Sequence, residues 1–189
     1  MHAKFYIHRD IKPDNIMMGL GETSNIVHMI DFGLTRLVVD PKTGKHIPLT
    51  SGKNLIGTCR YVSVNSHKGL ELSRRDDLIT LGYVILNLYK GSLPWQGIVT
   101  AKPSARYRRV GQAKAQCSNA SLCAGCPPQF LSYMNYVTNM QFEEAADFDL
   151  LKQLVVDIAR ENDLDIFDNI FDWSLRLSNP KIVSNPNIQ

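Results

Sequence analysis

Two short stretches hold the residue types that chemistry needs. His8-Arg9-Asp10-Ile11-Lys12-Pro13-Asp14-Asn15 reads H-R-D-x-x-x-x-N, and Asp31-Phe32-Gly33 reads D-F-G. The Asp10 carboxylate can accept the proton of an attacking hydroxyl, and Lys12 can lie against a transferred phosphoryl group. Asn15 can hold one Mg²⁺, and Asp31 can hold the metal that bridges the phosphates. Phosphoryl transfer asks for positioning and charge neutralisation more than for covalent chemistry. Two carboxylates, one amide and one amine on a rigid hairpin are suitable parts for it.

The residues between the two stretches predict that hairpin. Ile16-Met17-Met18 is a short apolar run, Gly19 to Asn25 has turn chemistry, and Ile26-Val27-His28-Met29-Ile30 is apolar and β-branched. Further on, Ser73 precedes Arg74-Arg75-Asp76, an N-cap pattern. Leu78, Leu81, Val84, Ile85 and Leu88 follow at helical spacing, and Gly91 with Pro94 stops the run. A helix this apolar belongs at the domain centre, with Asp77 as a carboxylate in its first turn. Residues 104–116 predict a helix with Arg106, Arg108, Arg109 and Lys114 on a basic face. Pro128 to Met140 predicts a helix with Phe130, Tyr133, Met134 and Val137 inward. Asp147 caps another, with Phe148, Leu151, Leu154, Val155 and Ile158 on one face. Residues 1–7 read as a stub, residues 34–62 as a long irregular segment, and the tail from Pro180 as frayed. The fold class is α+β, mainly helical, with a small β-hairpin carrying both motifs.

Composition sets the limits. The 189 residues suffice for one core, and 44% hydrophobic with 21% charged content is ordinary for a globular domain. No apolar run reaches the length of a membrane span and no signal-peptide layout is visible, so the expected setting is intracellular, cytoplasmic or nuclear. Cys117, Cys123 and Cys126 are spaced C-x₅-C-x₂-C without a second C-x₂-C pair. With Cys59 they read as reduced thiols rather than a zinc site. The net charge of +3 is unevenly spread: residues 31–75 hold eight Lys/Arg against three acids, and residues 140–189 hold four against ten. The basic stretch suits an acidic or phosphorylated partner. It lacks the interleaved aromatics of a nucleic-acid module, and nucleic acid is excluded as a partner.

The motif pair resembles the catalytic and metal-binding loops of protein kinases. The resemblance narrows at Gly57-Thr58-Cys59-Arg60-Tyr61-Val62-Ser63-Val64-Asn65. Most protein kinases close this segment with A-P-E, whereas Ser63-Val64-Asn65 resembles the S-I-N variant of the casein kinase I family. Ile16-Met17-Met18-Gly19, Lys53 to Thr58, Ser73 to Leu78, Leu81 to Val84, Gly91 to Gly97 and Phe171-Asp172-Trp173 agree with that family. The resemblance implies a large kinase lobe over residues 1–177 with a flexible tail over 178–189. It implies Ser/Thr phosphorylation using ATP and Mg²⁺, on acidic or pre-phosphorylated protein substrates, by a monomer. It gives Asp10, Lys12 and Asn15 to catalysis and Asn15 and Asp31 to metal. Asp31, Met17 and Ile30 go to the nucleotide, the last two as an apolar floor. Arg60, Gly97 and Arg106 fall to a substrate-anion pocket, with His8, Arg9, Thr58 and Asp77 as structural support.

The sequence contains no Gly-rich loop and no V-A-I-K-like strand lysine. It therefore reads as a fragment lacking the small lobe, with weak or absent ATP binding and poor solubility expected of these residues alone. The alternative is a catalytically inactive short protein that binds phosphorylated or acidic peptides.

Overall fold

The computed structural model describes residues 1–166, 168, 169 and 171. Strand β1 (Tyr6–Ile7) pairs antiparallel with β4 (Arg36–Leu37), Ile7 opposite Arg36. Strands β2 (Ile16–Met18) and β3 (Val27–Met29) form the predicted hairpin, Met17 opposite His28. Among the described residues, six α-helices complete a mainly helical α+β fold: α1 (Val64–His67), α2 (Arg74–Lys90), α3 (Pro103–Gln116), α4 (Asn119–Leu122), α5 (Pro128–Asn139) and α6 (Phe148–Glu161).

Helix α2 is the central element. Its start is fixed by Asp76, whose Oδ2 accepts the Ser73 N–H at 2.9 Å. Its end is fixed by Gly91 in the left-handed region, with the Gly91 N–H on Asn87 O at 2.9 Å. Helix α5 crosses α2 at Gly82, where a Cβ would meet Met134 Sδ and the Tyr133 ring at under 3.0 Å. The absent side chain lets the helices approach, and Leu78, Val84, Leu86, Met134 and Val137 close the core around them. Helix α6 packs on α5, and α1 on α3. A smaller cluster of Ile7, Val38, Val39 and Leu72 lies under the β1–β4 pair.

Several expectations are corrected. Residues 1–7 are more than a stub, because Ile7 is wholly buried and paired in β1. Residues 34–62 are not all irregular: β4 and a bridge between Val39 and His46 form where apolar Val38 and Val39 need burial. Leu88 is exposed, since the last turn of α2 emerges beyond Leu86. Phe148 and Val155 are exposed too; α6 meets α5 through a narrower face than its apolar stripe. Lys114, expected on a basic surface, is buried. It stands one turn after Val110 and shares its inward side. Of the closing Phe171-Asp172-Trp173, Asp172 and Trp173 lie outside the described residues, as does the tail.

Candidate active site

The hairpin places its two motifs side by side. The Ile30 N–H donates to Asn15 O at 3.0 Å, carrying the β2–β3 ladder one step to the loops. Buried His8 spans both loops. Its Nδ1 faces the Asp10 N–H at 3.3 Å, its Nε2 lies 3.0 Å from Ile30 O, and its ring is 5.6 Å from that of Phe32. A neutral imidazole with its proton on Nε2 satisfies both bonds.

Asp77 in the first turn of α2 holds the same loop from below. Its Oδ2 accepts the His8 N–H at 2.7 Å and its Oδ1 the Arg9 N–H at 2.9 Å. Arg9 takes a left-handed backbone, φ 68°, and its Nε donates to Leu34 O. This turn brings Asp10 inward against the 57–58 segment. There Gly57 (φ 92°) passes so close to the Arg9 carbonyl that a Cβ would lie 2.4 Å from its oxygen. Only glycine fits there.

The Asp10 carboxylate is almost fully partnered. Lys12 Nζ donates to Oδ2 at 2.7 Å, and the Thr58 N–H and hydroxyl both donate to Oδ1, at 2.8 and 2.7 Å. Burial pushes this carboxyl up, but the bonds from Lys12 and Thr58 and the Lys12 charge outweigh it and lower the pKa. Lys12 is raised, chiefly by its bond to Asp10, with Asp14 and Asp31 adding attraction. Asn15 Nδ2 donates to Asp10 O at 2.9 Å. Asp31 has a left-handed backbone (φ 60°), and its Oδ1 accepts the Gly33 N–H at 3.3 Å.

Asn15 Oδ1 and Asp31 Oδ2 accept no hydrogen bond among the described residues. Both are hard oxygen donors of the kind Mg²⁺ takes, alongside phosphate oxygens. Among the described residues no cluster of three or more His, Cys, Asp or Glu side chains suits a metal, and the four cysteines are free thiols. Met17, on β2, and Ile30, the residue after β3, are exposed. The sequence matches the family described as "Protein kinase domain" over residues 1–153.

The chain belongs to the protein kinase domain family. Kinase domains are phosphotransferases that act on protein substrates with ATP and Mg²⁺. No helix among the described residues of this kinase domain is long and apolar enough to cross a membrane.

Away from Asp10, the exposed Arg60 and Arg106 of the kinase domain line one hollow with Trp95, Gln96 and Gly97. No acidic side chain pairs with either arginine among the described residues. Trp95 Nε1 donates to Arg60 O at 2.8 Å. Sequence reasoning missed the groups that hold this wall. Lys114 is 3% exposed, with Nζ donating to Cys59 O at 2.9 Å and Val62 O at 2.6 Å. Burial lowers its pKa to about 7. The function of the S-x-N signature was also missed. Ser63 Oγ and Asn65 Nδ2 both donate to Asp76 Oδ1, at 2.6 and 2.9 Å, tying the end of the segment to α2. The signal was present as two small polar residues at a helix start. Buried Glu71 had no such signal; it pairs with Arg36 and Lys53 at 3.4 and 3.3 Å.

Proposed function

We propose that this chain carries the catalytic loop and substrate side of a casein kinase I-type Ser/Thr kinase acting on acidic or pre-phosphorylated proteins. The observation that carries the reading is the Asp10 carboxylate held between Lys12 and Thr58, beside Asn15. With its pKa lowered, Asp10 is ionised at neutral pH and faces the acceptor hydroxyl as a proton acceptor. Lys12, bound to Asp10, donates to an oxygen of the moving phosphoryl group and balances its charge. Asn15 and Asp31 would hold Mg²⁺, which when bound neutralises phosphate charge. Met17 and Ile30 give the adenine an apolar floor. Arg60 and Arg106, with Gly97 leaving the rim open, receive a phosphate or carboxylate upstream of the acceptor. Arginine suits a bidentate anion contact.

The test is incorporation from radiolabelled ATP into an acidic Ser/Thr peptide, with Asp10→Asn as control. Incorporation above the control supports the reading. Incorporation equal to the control under conditions where ATP binding is demonstrated, with peptide binding retained, favours a peptide-binding module over an enzyme.

A further inference from the structure

Arg60 and Arg106 come from different elements, one from a loop and one from helix α3. An anion held by both needs their separation fixed. The loop has few bonds of its own: the Tyr61 and Val62 N–H groups both reach back to Thr58 O. Its carbonyls are held from beneath instead. Lys114 takes Cys59 O and Val62 O, and the Trp95 indole takes Arg60 O. Lys114 belongs to the same helix as Arg106, two turns further on. Its Nζ also lies 5.2 Å from the Tyr83 ring centroid and 5.1 Å from that of Trp95.

An ammonium is a costly way to fill a core position beside Val110, because its hydration is lost. A methionine or leucine would serve packing alone. What the ammonium adds is a rigid link between the helix bearing Arg106 and the backbone on both sides of Arg60. We infer that Lys114 is a positioning residue for phosphate selection, clamping the Cys59 and Val62 carbonyls so that Arg60 stays opposite Arg106. This inference rests on the reading of the Arg60–Arg106 hollow as the anion site.

The experiment compares two fluorescein-labelled Ser peptides, one with an upstream phosphothreonine and one with plain threonine, by anisotropy on the 189-residue protein. The wild type is expected to prefer the phosphopeptide, and Arg60→Ala to erase the preference. A wild type without preference overturns the reading of the hollow. Lys114→Met is expected to weaken phosphopeptide binding by about tenfold, the effect of one well-placed hydrogen bond, with plain-peptide binding unchanged. Lys114→Arg is expected to restore part of it. If Arg60→Ala erases the preference and a folded Lys114→Met keeps it, the positioning role is overturned while the anion site stands. If circular dichroism shows Lys114→Met unfolded, the wild-type Lys114 ¹³Cε resonance decides. A shift on adding the phosphopeptide but not the plain peptide supports the role, and no shift overturns it.

Discussion

Asp77 holds the backbone of His8: the two are 69 positions apart in sequence, and Asp77 Oδ2 accepts the His8 N–H at 2.7 Å. Because Oδ1 takes the neighbouring Arg9 N–H, both carboxylate oxygens are committed to the catalytic loop. Asp77→Asn replaces one acceptor by an NH₂ group and leaves a loop N–H without a partner. The expected loss is about 1–3 kcal/mol, the cost of an unsatisfied buried donor. Denaturant unfolding checks it, and a transition midpoint equal to wild type refutes it.

Thr58 and Lys12 both keep Asp10 ionised. Because the folded-state pKa lies below the ordinary value, Asp10 adds stability above its unfolded pKa, and that stability is lost as pH falls through the folded one. Thr58→Val removes the hydroxyl bond and leaves the N–H bond. The Asp10 pKa should rise, and acid unfolding should begin at higher pH than in wild type. NMR titration of the Asp10 carboxyl carbon reads the first effect directly.

His67, the last residue of α1, is shifted by its surroundings too. Burial, with the Lys114 charge, lowers its pKa to about 4, although the carbonyls of Cys59 and Tyr107 favour the cation. The unfolded chain therefore binds the extra proton first. Stability should fall as pH drops from about 6.5 to about 4, by at most ~1.4 kcal/mol per unit from this group. His67→Gln should flatten that part of the profile. An unchanged slope in urea melts across this window counts against it.

Gly57→Ala places a methyl group against the Arg9 carbonyl in a backbone region that disfavours it. The expected cost is about 1–3 kcal/mol, with Thr58 displaced from Asp10. A thermal melt within a degree of wild type would show that the close approach relaxes freely.

Local features of the site were legible and distant ones were not. His8 to Asn15 and Asp31 to Gly33 sit at the ends of one hairpin, so turn chemistry and alternation were enough to bring them together. The helix from Arg74 was legible from its cap and its spacing. Thr58 was reached through the family resemblance, because nothing in its neighbours announces a bond to Asp10. Lys114 was misread because residue type suggested a surface, while its place one turn after Val110 pointed inward. Phe148 and Val155 were misread the other way, since apolar periodicity gives the direction of a stripe and not the width that a neighbour covers.

The bonds around Asp10 and His8 reach 48 and 69 positions along the chain. A chain released from the ribosome only as far as about residue 50 has therefore exposed both signature motifs without their distant partners. The reactive carboxylate acquires its surroundings only when α2 has emerged and docked. The centre is therefore complete only once the 58 segment and α2 have both docked on the loop.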